Sequence, residues 1–336
     1  MARTFTATEA HREQMPLFVG LVGPSGGGKT LSALRLATGI QRINGGEIHL
    51  IDTENRRGTL YADDFNFKHV QFDEPFASLD YLDAIRQSAE AGASVIIVDS
   101  MSHEHEGPGG MIDFQEQVLT RITKGDESKR NSMQMLAWAE PKAARRKLLQ
   151  GLTRFNVSLI LCFRAKETSK PGKEKWTDRQ GQERTKNVVI PMGYMPIAGT
   201  EFVFEMSLSA LLLPGSKGVP EWHPENPGEK MAVKIPRQFE WLDGYGQLDE
   251  DAGARLAEWA KGKVAAPVIP KQKQSPEEWL SSHLDDIDVA ADMDELTAIY
   301  TKQVNGALAK LEKDHPDLHD KATTAFETKQ SKLKDA

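Results

Sequence analysis

The string Gly23-Pro24-Ser25-Gly26-Gly27-Gly28-Lys29-Thr30 constrains this chain more than any other eight residues in it. It follows an apolar run at 17–22 and precedes a helical pattern at 30–41, so it reads as a tight turn from a buried strand into a helix. Glycines let the backbone turn its N–H groups inward around an anion at low steric cost, and the helix N-terminus behind them adds partial positive charge. The loop is therefore a cradle for phosphate. The Lys29 ammonium would reach the β- and γ-phosphates, and the Thr30 hydroxyl would ligate a magnesium ion. Chance rarely supplies both this spacing and the flanking strand and helix.

The remaining pattern supplies a sheet for that loop. Apolar runs at 17–22, 47–51, 95–98 and 157–163 are rich in β-formers and do not alternate, as in strands buried on both faces of a parallel sheet. Helical patterns at 30–41, 78–91 and 138–154 lie between them, which predicts a three-layer α/β core with a mostly parallel sheet. Segments at 201–213 and 231–235 are expected to extend the same sheet. Over 262–275 the composition shifts to Lys, Pro, Gln and Ala, a linker signature, and Ser275-Pro276 then opens a helix as N-cap and first-turn residue. The expected organisation is a core at 1–261, a linker at 262–275 and a small all-α unit at 276–336. In that unit Leu296, Ile299, Val304, Leu308 and Leu311 mark an apolar face until Pro316 breaks the run.

Composition narrows the function classes. Of 336 residues 39% are hydrophobic and 27% charged, a globular balance. No run of eighteen apolar residues occurs and the first fifteen residues are polar, so a cytoplasmic protein away from membranes is expected. Cys162, the single cysteine, sits in an apolar run and reads as core. The net charge of −7 disfavours coating of nucleic acid by the whole surface, so any such site must be local.

Two more strands end in acids. Asp99 closes the run at 95–98, where a carboxylate at a parallel strand's C-terminal end can hold the magnesium ion. Glu54 closes Ile51-Asp52-Thr53-Glu54, where it can orient the attacking water, while Asp52 reads as structural. An acidic turn starter is the plainer reading of each pattern taken alone.

Taken in order, the glycine loop, Ile51-Asp52-Thr53-Glu54 with Tyr61-Ala62 beyond it, and Val98-Asp99-Ser100 resemble the RecA family of DNA-dependent ATPases. The likeness runs from about residue 17 to 163 and is nearest to phage-encoded, minimal RecA-like proteins of single-strand annealing and recombination. It implies a RecA-like ATPase using ATP and Mg2+, homo-oligomeric, with Glu54 catalytic and Tyr61 packing on adenine. Gly58 stands where that family carries an acid. The string from Ser100 through His103-Glu104-His105-Glu106 to Gly110 looks like the family's loop after the second acidic strand, which makes Ser100 and His103 phosphate-sensing candidates rather than metal ligands.

The stretch 164–188 holds eight bases against four acids around one tryptophan. Read as a flexible loop facing the DNA channel the resemblance implies, its DNA-binding candidates are Lys166, Lys170, Lys173, Lys175, Trp176, Arg179, Arg184 and Lys186, by phosphate pairing and base stacking. A solvated loop is the alternative. Arg164, at the strand tip, is instead a candidate for sensing the γ-phosphate. Lys230 and Lys234 are weaker candidates for cations inserted into a neighbouring subunit's site. The leading function is an ATPase that holds single-stranded DNA in phage-type recombination. A nucleotide-switched loader, whose helical tail docks a recombination or replication protein, competes with it, and a small-molecule kinase is a third reading.

Overall fold

The computed structural model describes residues 7, 9, 10, 12–177, 181–199, 201–262, then 277, 280, 283, 284, 287, 288, 290, 293, 296, 297, 299 and 307–334. The chain divides into two compact units, Met1–Val264 and Ala265–Ala336.

The first unit is built on seven strands: β1 (Phe18–Gly23), β2 (Glu47–Asp52), β3 (Lys68–Gln71), β4 (Ala93–Asp99), β5 (Ser158–Thr177), β6 (Glu183–Pro196) and β7 (Leu208–Leu211). Its helices are α1 (Lys29–Asn44), α2 (Ser78–Glu90), α3 (His103–Glu106), α4 (Met111–Thr123), α5 (Arg130–Ala137), α6 (Ala139–Leu152), α7 (Glu201–Glu205), α8 (Pro227–Lys230) and α9 (Glu250–Ala260). The strand order is β3-β2-β4-β5-β1-β7, with β6 paired to β5 alone. Every pair is parallel except β5 with β6.

Strand side chains alternate between two cores, which is why the sequence shows apolar runs without alternation. Val19, Leu21, Leu50 and Ile97 pack with α1 and α9 on one face. Phe18, Val22, Ile96 and Val98 pack with α2 and α6 on the other. The helices of the first face approach very closely, since a Cβ on Gly39 of α1 would strike the Glu250 carbonyl and one on Gly253 of α9 would strike that of Leu36. Arg35 and Glu250 close this contact with an ion pair of 2.8 Å. The effect is to hold α1, and with it the glycine loop, rigidly beneath the strand tips.

Three expectations are corrected. The stretch 164–188 is not a loop: β5 runs on from the sheet to Thr177 and pairs antiparallel with β6 from Ala165↔Pro196 to Thr177↔Glu183, forming a long arm. Most arm residues are exposed, so no apolar period betrays the strand in sequence. Its partner supplies Val188, Val189 and Ile190, whose branched side chains favour extended backbone. The segment 201–205 is the short helix α7 rather than a strand, and 231–235 contributes only the isolated bridge Ser209↔Lys234. Lys234 donates to the carbonyls of Val203, Phe204 and Met206 at 3.4, 2.9 and 2.5 Å, so its ammonium is engaged at the end of α7.

Within the second unit, α10 (Ala307–Asp314) and α11 (Pro316–Lys334) meet at Pro316. Leu280, Leu308, Leu311 and Leu318 form one small core, and Ile287, Ala290 and Leu296 another. The expected linker, apart from Gly262, and Val304 lie outside the described residues, as does Arg179.

Candidate active site

The glycine loop leaves β1 between the tips of β5 and β7. A Cβ at Gly27 would lie 2.5 Å from the Leu212 carbonyl just after β7, so only glycine lets the loop press this close. Gly28, the cap of α1, holds a φ of 89°, a conformation open to glycine at little cost. The loop thus ends at the N-terminus of α1, where free first-turn N–H groups favour an anion. Lys29 is buried, and its Nζ donates to the Pro24 carbonyl at 2.9 Å, across the mouth of the loop.

In the first turn of α1, the Thr30 hydroxyl donates to Asp99 Oδ2 at 2.5 Å. Burial raises the Asp99 pKa, while the Thr30 hydroxyl and the nearby Lys29 charge act in the opposite sense. Among the described residues no group of three or more His, Cys, Asp or Glu side chains can hold a metal. A hydroxyl and one carboxylate nevertheless suit Mg2+, which is held by one or two protein oxygens together with substrate phosphates and water.

Asp52 and Glu54 divide the work at the tip of β2. The Asp52 carboxylate accepts from the backbone N–H groups of Glu54 at 2.7 Å and Gly58 at 2.8 Å, and from His69 at 3.1 Å. It is a clamp on the turn that follows, as expected of a structural acid. A Cβ at Gly58 would meet the buried Leu50 side chain, which would have to shift to admit the larger acid that the RecA resemblance leads one to expect there. Asn55 and Arg56 take left-handed backbone at φ 55° and 63°, and the resulting turn leaves the Glu54 side chain lining the cleft.

The cleft measures about 270 Å³ and is lined by the loop residues Ser25, Gly26, Gly28, Lys29, Thr30 and by Glu54, Tyr61, Asp99 and Arg164. Arg57 lines it as well and donates to Glu54 Oε2 at 3.1 Å. Sequence reasoning missed Arg57; its position three residues after Glu54 on a turn was the available signal. Arg164 approaches Glu54 from the opposite strand tip, Nε to Oε1 at 3.8 Å. Glu54 thus stands between two guanidinium groups.

The segment after β4 is knitted into this arrangement. Ser100 is fully buried, its hydroxyl accepting from Ser102 N–H and donating to the Cys162 carbonyl, so it faces the sheet rather than the cleft. His103 Nδ1 lies 2.9 Å from Thr53 Oγ1 and its Nε2 lies 3.2 Å from Arg164. The ring stacks on Phe76 with centroids 4.9 Å apart. Burial lowers the His103 pKa, and the Arg164 charge acts in the same sense. Glu104 turns inward and pairs with Arg145 at 2.6 Å, accepting also from the Ser78 hydroxyl at 2.6 Å. His105 Nδ1 lies 3.0 Å from the same arginine. The His-Glu-His-Glu side chains thus go to three cations: His103 to Arg164, Glu104 and His105 together to Arg145, and Glu106 to Lys166.

The arm begins at this cleft. Beyond Arg164, Lys166 pairs with Glu106 at 3.5 Å. Strand register places Lys170, Trp176, Arg184 and Lys186 on one face with Glu174, and Lys173 and Lys175 on the other. Lys186 is paired with Glu174 at 3.0 Å and Lys175 with Glu183 at 3.2 Å. Trp176 stands in register with Arg184 and remains largely exposed.

A protein-family model described as an AAA domain matches residues 15–192, the stretch that carries the loop, both acidic strand tips and most of the arm. No curated protein matches the chain. Among the described residues no helix is long and apolar enough to cross a membrane.

Proposed function

Because the chain belongs to the AAA-domain family, which carries the P-loop fold of nucleotide-binding ATPases, we propose that it hydrolyses ATP with Mg2+ and uses nucleotide state to control its hold on single-stranded DNA. In the setting that the RecA resemblance implies, it works as a homo-oligomer in phage-type recombination or annealing. The single observation behind this reading is the continuity of β5, which carries Arg164 at the cleft and then runs on as the arm that bears Trp176.

The loop amides and Lys29 hold the phosphates and neutralise their charge. Thr30 and Asp99 would hold Mg2+, which supplies charge neutralisation at the β- and γ-phosphates when bound. Glu54 orients the water and accepts its proton. Arg164 and Arg57 stand where negative charge develops, and Tyr61 supplies an apolar wall for the base. On the arm, the Trp176 face stacks a base while Lys170, Arg184 and Lys186 follow phosphates.

ATP turnover measured with and without a mixed-sequence single-stranded oligonucleotide tests this. Turnover is expected to require Mg2+ and to rise with the oligonucleotide. Glu54→Gln should still bind ATP but hydrolyse it about 10²- to 10⁴-fold more slowly. Trp176→Ala should keep basal turnover and lose most of the stimulation. An unchanged rate for Glu54→Gln rejects the catalytic assignment, and undiminished stimulation of Trp176→Ala rejects the arm as the DNA site.

The separate compact unit at Ala265–Ala336 supports a second role, docking of a recombination or replication protein. Partner binding lost on its removal, with turnover intact, would favour the loader reading.

A further inference from the structure

We propose that His103 is a positioning residue: it fixes the Arg164 guanidinium against Glu54 and acts on hydrolysis only through that arginine. This rests on the reading of the cleft as an ATP-hydrolysing site. A guanidinium has donors and no acceptor, so the 3.2 Å contact requires an unprotonated Nε2 on His103. The remaining ring proton then sits on Nδ1 and is donated to Thr53 Oγ1. That hydroxyl accepts a second hydrogen bond from the Ser100 N–H at 2.7 Å and donates its own proton to the Ser100 carbonyl at 3.0 Å. Each polar atom in the chain from Ser100 to Arg164 is thereby satisfied in one consistent direction, which fixes the histidine tautomer.

The histidine is also held mechanically. Phe76 stacks on its ring, and the next residue, Glu104, is anchored in the core by Arg145 and Ser78. The same short segment grips the other end of Arg164, because Ser102 Oγ accepts the Arg164 backbone N–H at 2.8 Å. An arginine that is nearly half exposed would otherwise sample many rotamers. Fixed at both ends, it meets developing phosphate charge without first being ordered. His103 lies one layer behind the residues that line the cleft, which makes it a support for Arg164 and not a phosphate contact.

A double-mutant cycle on the full chain tests this, with kcat and KM for ATP measured in His103→Ala, Arg164→Ala and the doubly substituted protein. His103→Ala should lower kcat by about 10- to 100-fold with KM little changed, the range expected when a catalytic cation is misplaced. Arg164→Ala should lose at least as much, and adding His103→Ala to it should cost nothing further. A further multiplicative loss in the Arg164→Ala background overturns the proposal, since His103 would then act on its own or through general packing. So does an unchanged kcat in His103→Ala. If Arg164→Ala itself turns over normally, the assignment of Arg164 falls and the positioning role with it. If the alanine variant does not fold, His103→Leu, which keeps bulk against Phe76 but offers Arg164 no acceptor, replaces it in the same cycle under the same criteria. Absence of any turnover in the unsubstituted chain would instead reject the ATPase reading.

Discussion

The Thr30 hydroxyl and the Asp99 carboxylate meet at 2.5 Å, joining the first turn of α1 to the tip of a strand two places away in the sheet. This contact brings the two predicted metal-holding oxygens together, and it does so at an electrostatic cost, because burial disfavours the Asp99 anion.

Asp99→Asn should therefore separate function from stability. A pKa raised above 3.8 means that ionising Asp99 costs more in the folded chain than in the unfolded one, so stability is lost as pH rises through the folded value and a neutral isostere removes that cost at neutral pH. Thermal unfolding of Asp99→Asn is expected at a temperature equal to or above that of the parent chain, while Mg2+-dependent turnover is lost. A lower unfolding temperature would mean that the carboxylate is a net support of the fold.

The Glu104–Arg145 pair makes the opposite prediction. Both side chains are buried, and removal of one partner leaves an uncompensated charge. Glu104→Ala should cost about 3–5 kcal/mol in denaturant unfolding. It should also displace α3 and so slow turnover beyond the loss of folded protein. Glu104→Ala with unchanged stability would show that Arg145 finds water or another partner.

Acid should weaken the fold through the same segment. His103 and His105 both have pKa values lowered from 6.5, by burial first, with Arg164 and Arg145 respectively acting in the same sense. As pH falls below about 6.5 the unfolded chain binds protons that the folded chain refuses, so the stability is complete above that value and is lost as pH falls through the lower folded values. The unfolding midpoint should drop as pH falls below about 6.5, and more shallowly in a chain carrying His103→Gln and His105→Gln. Equal slopes in the two chains would exclude these imidazoles as its source.

The α/β core and the loop were legible because their signals are local. Buried parallel strands leave unbroken apolar runs, and Gly23–Thr30 requires its neighbours on both sides to be a strand and a helix. The arm was not legible: residues exposed on both faces carry no period, and β5 continues past Arg164 only because β6 returns along it. The β-rich Glu201-Phe202-Val203-Phe204-Glu205 imitates a strand but closes into α7, with Phe202 buried beside Phe163 and Lys234 at its end. Ser100 carried no sign in sequence of facing the sheet instead of the cleft.

By itself the sequence determined the chemistry available: a glycine-framed cradle for phosphate, a lysine and threonine beside it, and acids at two strand tips, since each depends on residues adjacent along the chain. Only tertiary structure decided which groups meet. Arg57 and Arg164 flank Glu54, His103 stands behind Arg164, and Glu104 turns away to Arg145, because sheet order brings β2, β4 and β5 side by side although long stretches of chain separate them.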